Sequence, residues 1–171
     1  MSTDPRSPVA PLSLSLALAR LDVGSAEDAL RAVAGQLLDA GAVTEAFPEA
    51  LQARERRYPT GLPTPVPTAI PHAEPEHVLA PGLAIATFAR PVAFGEMGGG
   101  GGQVEVQLLA MPLLTDAREH LAALRRLMGL LQDEAAVAAL LAAEDDATLR
   151  ARAEELLGRG ADETGTTEEN A

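Results

Sequence analysis

His72 closes the tetrapeptide Ala69-Ile70-Pro71-His72, inside the stretch TGLPTPVPTAIPHAEPEHV (residues 60–78), which carries five prolines. At neutral pH a histidine is largely uncharged, so one ring nitrogen keeps a lone pair. That nitrogen attacks phosphorus readily, and the phosphohistidine it forms is a labile phosphoramidate suited to passing the group onward. Such a site needs an imidazole that is exposed, aimed and unable to relax into a core. Pro71 supplies this: it lacks a backbone donor, fixes its own φ and pushes Ile70 into extended geometry, so AIPH is expected to end a buried strand abruptly and thrust the ring outward. An exposed loop histidine with no chemical role satisfies the same local rules, and the residues by themselves leave both readings open.

Two other residues have chemistry to offer. His120 falls in the first turns of a helix expected to begin near Thr115, where a helix N-terminus favours negative charge and an imidazole can bond a phosphoryl oxygen. A surface histidine in a capping region is the plainer account. Arg54 opens RERRYPTG at the end of a helix and can clamp phosphate with two parallel bonds, although arginines stabilise helix C-termini in any case. His72 and His77 are separated by Pro75 and share no helix face. With no cysteine and no HExxH motif, no metal site is expected. The run Gly98–Gly102 lacks the Lys-Ser/Thr and the following helix of a phosphate loop, and reads as a hairpin tip.

The elements that must carry these residues follow from periodicity. LSLSLAL (12–18) alternates as a half-buried strand does. Ser25 caps a helix whose Leu30, Val33, Ala34, Leu37 and Leu38 share a face and which Gly41 stops. A second helix is expected over Glu45–Arg57, with Thr44 as cap and Pro48 in its first turn. A short strand at TAI (68–70) precedes the histidine. LAIATFA (83–89) and VEVQLLAMPL (104–113) read as a strand pair joined by EMGGGGGQ. Thr115 or Asp116 then caps an amphipathic helix through Leu121, Leu124, Leu127, Met128 and Leu131, and two more helices follow. The expected organisation is a flexible N-terminus (1–11), one α/β domain with a mixed β-sheet flanked by helices (12–157), and a disordered acidic tail (158–171).

Composition narrows the function. With 171 residues the chain can build one full core, and with an aromatic content of 2% that core must be aliphatic. A net charge of −12 repels nucleic acid and anionic membrane surfaces. No signal peptide or membrane span is apparent, so a cytoplasmic chain without membrane insertion is expected. All 13 basic residues are arginines, consistent with a GC-rich coding bias.

Taken in order, these stretches resemble the IIA component of the bacterial sugar phosphotransferase system, in its type 2 (fructose/mannitol-type) class. The residues that carry the resemblance are Arg54-Glu55, Thr60-Gly61, Ala69-Ile70-Pro71-His72, Phe94, Met97-Gly98, and the helix opening His120-Leu121-Ala-Ala-Leu124-Arg-Arg-Leu127. It extends from about Leu12 to Leu157. YPTGL and PHAEPEHV are most similar to the galactitol-type branch. The pentaglycine and the proline-rich LPTPVPT depart from the usual pattern and flank the loop that shapes partner docking.

The resemblance implies a phosphotransferase component. His72 would accept a phosphoryl group from the carrier protein HPr as a tele-phosphohistidine intermediate and pass it to a cysteine of a IIB partner. That partner serves the membrane IIC component during uptake of a sugar such as galactitol or another polyol. Arg54 and His120 would flank the acceptor, and no cofactor is implied. Nitrogen-type relatives carry the same histidine but signal through protein binding, which leaves a regulatory role as the alternative.

Overall fold

The computed structural model describes residues 12–163, giving the backbone alone at 117, 119, 120 and 160–163. Five strands, β1 (Leu14–Leu21), β2 (Gly61–Leu62), β3 (Thr68–Ala69), β4 (Gly82–Gly95) and β5 (Gln103–Leu113), form one mixed sheet in the order β1-β4-β5-β3-β2. The pairs β1–β4 and β3–β5 are parallel, whereas β4–β5 and β2–β3 are antiparallel. The helices are α1 (Ala26–Asp39), α2 (Phe47–Arg57), α3 (Ala117–Gln132), α4 (Glu134–Ala142) and α5 (Asp146–Glu163).

The central strands are apolar on both faces because both faces are covered. Ala84 and Ala86 of β4, with Leu109, Met111 and Leu113 of β5, pack against Leu30, Val33 and Leu37 of α1 and Phe47 and Leu51 of α2. The alternate residues Leu83, Ile85, Leu108 and Ala110 point the other way, onto Leu127 and Leu131 of α3, Val137 and Leu140 of α4, and Leu149 and Ala153 of α5. The result is a helix–sheet–helix sandwich, the α/β architecture with a mixed sheet that the pattern implies. Ile70 belongs to the second cluster and Ala69 to the first, so the residues leading to His72 are anchored in both.

Local capping rules hold where the partners are close in sequence. Ser25 Oγ accepts the N–H of Asp28 and starts α1, and Asp116 accepts the N–H of Arg118 and starts α3. They fail at Thr44. The helix α2 begins at Phe47, two residues later than the pattern predicts, with Ala46 as an N-cap that makes no side-chain bond. Thr44 is taken up elsewhere: its N–H goes to the carbonyl of His77, and the adjoining Val43 bridges Val78. Its Oγ1 is buried without a partner among the described residues.

Three further boundaries move. Strand β1 spans Leu14–Leu21, starting and ending later than the alternation in 12–18 indicates, with Arg20 at φ 54° beside an irregularity in its pairing. Its outer edge is covered by α5, where Asp146 accepts the Ala19 N–H at 2.7 Å. Strand β4 continues past Ala89 to Gly95, because a register shift between Thr87 and Val92 absorbs Arg90-Pro91. Helix α5 continues through Gly158 to Glu163, so 158–163 extend the last helix instead of opening a disordered tail. The ~1 kcal/mol cost of a helical glycine is offset only in part by an exposed Arg159–Glu155 ion pair one turn apart. The stretches 1–11 and 164–171 lie outside the described residues.

Candidate functional site

Strand β3 runs in register with β5, Thr68 beside Leu108 and Ala69 beside Leu109. The chain leaving β3 toward His72 and the chain leaving β5 toward α3 therefore exit at the same end of the sheet. The last turn of α2 arrives at that end too, because β2 is antiparallel to β3 and Gly61 pairs with Ala69. Parallel pairing thus gathers three sequence-distant segments, those of Arg54, His72 and His120. His120 lies near the N-terminus of α3, and its side chain is outside the described residues.

Pro71 is buried and His72 is half-buried. The ring does not simply project outward; it folds back so that Nδ1 lies 3.0 Å from the carbonyl oxygen of Ile70. A carbonyl oxygen only accepts, so Nδ1 is the protonated nitrogen and the ring's lone pair sits on Nε2. The Ile70 peptide is itself held at its other end, where its N–H donates to the carbonyl of Thr60 at 3.3 Å.

Thr60 is fixed in turn by Glu55, in the last turn of α2. One Glu55 carboxylate oxygen accepts the Thr60 N–H and the other accepts the Thr60 hydroxyl, both at 2.9 Å. Burial pushes the Glu55 carboxyl above its ordinary range, opposed by the backbone and hydroxyl bonds from Thr60 and by the charge of Arg54. Relative to the unfolded chain, folding therefore shifts this carboxyl toward holding its proton more tightly, and the group's contribution to stability diminishes as pH rises through the raised value. The resemblance noted above quotes Glu55, but sequence reading gave it no part in the site. The available signal was an acid at the end of a helix, facing a Thr-Gly turn five residues on.

Arg54, the preceding residue, pairs with Glu74, two positions past His72. Its guanidinium also lies 5.6 Å from the Tyr58 ring centroid, and that of Arg57 lies 5.7 Å from the same centroid. Arg54 Nε is buried without a hydrogen bond among the described residues. His77 lies in a single 3-10 turn, Pro75–His77, where its carbonyl ties this loop to Thr44. Among the described residues no group of three or more His, Cys, Asp or Glu is placed to hold a metal ion, and no helix is long and apolar enough to cross a membrane.

The hairpin closes the site from the far side. Beyond Gly95 the chain bridges β2, with Glu96 beside Gly61 and the Met97 N–H donating to the Gly61 carbonyl at 2.8 Å. A Cβ on Gly61 would stand 2.6 Å from the carbonyl oxygen of Gly95, and backbone cannot swing aside as a side chain can. Gly61→Ala is expected to lower stability by about 1–3 kcal/mol, as overpacking does. A urea titration giving an unchanged midpoint would show that the hairpin yields.

A half-buried histidine with its lone pair on Nε2, set at the end of a short strand of an α/β sandwich and followed by a loop to which Arg54 is tied through Glu74, defines a histidine-centred site at the surface. The chain belongs to the phosphoenolpyruvate-dependent sugar phosphotransferase system EIIA 2 family, whose profile matches residues 12–155. It is 33% identical over 130 residues to the multiphosphoryl transfer protein of Salmonella typhi, a match covering 75% of this chain and 33% of that protein. The chain thus spans about a third of the length of that relative. Its fold is similar to that of IIA mannitol from Escherichia coli, with TM-score 0.63 and 25% identity, covering 81% of this chain and 92% of that one. It is also similar in fold to a chain of the complex of enzyme IIAMTL and phosphorylated enzyme IIBMTL from Escherichia coli. There the TM-score is 0.67 and the identity 24%, covering 86% of this chain and 99% of that one.

Proposed function

We propose that this chain is a phosphohistidine carrier: His72 accepts a phosphoryl group from phosphorylated HPr and passes it to a IIB component during sugar uptake. The observation that carries the reading is the bond from His72 Nδ1 to the Ile70 carbonyl, which places the ring's lone pair on Nε2. Nε2 attacks the phosphorus of the donor, a new N–P bond forms, and the donor's N–P bond breaks with its electron pair returning to the donor imidazole. The product is a tele-phosphohistidine; a IIB cysteine thiolate then attacks its phosphorus, an S–P bond forms, and the N–P bond breaks with its electron pair returning to His72 Nε2. Such a transfer needs positioning and charge stabilisation more than a deep pocket. The similarity to a IIA chain found with phosphorylated IIB supports a IIB partner, and through it an indirect link to IIC. The likeness of YPTGL and PHAEPEHV to the galactitol-type branch supports galactitol or another polyol as the sugar.

The test is incubation with enzyme I, HPr and labelled phosphoenolpyruvate. Stoichiometric label that is lost in acid and retained in base is expected; a chain that takes up none is not a carrier. By the same reading His120 assists without carrying the group. His120→Ala should still label to completion but at least about tenfold more slowly, the effect of losing a bond of ~1.5 kcal/mol or more to a charged group. Complete loss of labelling in a folded variant would make His120 an obligatory acceptor.

A further inference from the structure

Glu55 is a buried-side carboxylate with no catalytic atom to touch, yet it sits at the head of a chain of hydrogen bonds that ends on the imidazole. Its two oxygens hold the Thr60 N–H and hydroxyl. The Thr60 carbonyl holds the Ile70 N–H, and the Ile70 carbonyl holds His72 Nδ1. We infer that Glu55 is a positioning residue for His72, fixing the ring's tautomer and aim by clamping Thr60. The inference rests on the reading of His72 as the phosphoacceptor.

Three observations carry it. First, the clamp is two-point: one bond would leave Thr60 able to rotate, whereas bonds to both its N–H and its hydroxyl fix the residue. Second, Thr60 is 3% exposed, so its N–H and hydroxyl depend on the protein for their partners, and Glu55 is the acceptor that both find. Third, β2 and β3 are only two residues long. Their mutual ladder is short, so beside the pairing of β3 with β5 and the core contacts of Ala69 and Ile70, what grips their ends adds to the stiffness of the Ile70 peptide. The hairpin grips Gly61 from one side, and Glu55 grips Thr60 from the other. Burial, which raises the Glu55 pKa, makes this an expensive place for a carboxylate; a surface acid serving only solubility would not be kept there.

The same helical turn presents Arg54 to the loop beyond His72 through Glu74. One rigid element therefore sets both the acceptor and its neighbouring cation. The role assigned to Glu55 is geometric, and geometry distinguishes it from charge. In Glu55→Gln the side-chain carbonyl can still accept the Thr60 N–H while the amide donates to the Thr60 hydroxyl. In Glu55→Asp the charge survives but the carboxylate is one methylene short of its partners.

The experiment reads the ring directly. Long-range nitrogen–proton correlation spectra of the full chain, with imidazole nitrogens labelled, report which His72 nitrogen carries the proton; single-turnover phosphotransfer from phosphorylated HPr is measured alongside. Glu55→Gln is expected to keep the Nδ1–H tautomer and a transfer rate within about threefold of the parent. Glu55→Asp should show a mixed tautomer and a rate lower by about tenfold or more, as small misplacements of a reacting group produce. Glu55→Ala should show the same or worse, and Glu55→Asp carries the test if Glu55→Ala does not fold. The inference is overturned if Glu55→Asp keeps both tautomer and rate, or if Glu55→Gln loses them while Glu55→Asp does not. If the tautomer responds as expected but the parent chain takes up no label, positioning by Glu55 stands and the phosphoacceptor reading fails.

Discussion

His72→Ala is expected to fold as the parent does and to take up no label from phosphorylated HPr. The side chain is half-buried at the open end of the sheet, and its bond to the Ile70 carbonyl contributes about 1 kcal/mol net. The residues that anchor the loop, Ala69, Ile70 and Pro71, are buried and unchanged by the substitution. Chemistry, by contrast, is lost entirely, because among the described residues no other side chain offers a ring nitrogen in the same place. His77 is drawn into the turn that ties this loop to Thr44. Thermal unfolding and labelling should be measured on the same preparation. Stoichiometric label on a well-folded His72→Ala chain would move the acceptor to His77 or His120 and undo the assignment.

How far the site could be read in advance depends on the range of the forces that build it. Ser25 and Asp116 cap their helices with bonds to residues two or three positions away, and such contacts are visible in the sequence. The stretch AIPH was legible for the same reason: proline acts on its immediate neighbours. Thr44 looked like another cap, but a bond to His77, far along the chain, recruited its backbone to a different task. Leu121 fits the apolar face of α3 by spacing, yet it is 58% exposed. The strand read over 83–89 stops short of its true end, because a register shift between Thr87 and Val92 lets β4 continue to Gly95. Glu55 was hidden most thoroughly. In Arg54-Glu55-Arg56-Arg57 it resembles one charge in a solvated run, and only the fold brings Thr60 against it.

Arg54 supplies the second large effect. Its guanidinium is held next to the His72 loop by Glu74 and supported by the Tyr58 ring. Its buried Nε has no partner among the described residues, a donor that a phosphoryl oxygen would satisfy. The transferring group carries its charge on three outer oxygens, and a planar fork of donors stabilises that charge where a point charge does so less well. Arg54→Gln should therefore slow single-turnover transfer by roughly 10²–10³, the loss seen when one such stabilising donor is removed. Stability should change by no more than ~1 kcal/mol, since the side chain is 31% exposed and its partner Glu74 57% and such pairs contribute little. Arg54→Lys restores the charge without the fork and should recover only part of the rate. Rapid-quench kinetics with urea midpoints for both variants separate these effects. Full recovery in Arg54→Lys would reduce the role to simple charge. A Gln variant within about threefold of the parent would leave Arg54 as a structural partner of Glu74, with no hand in the transfer.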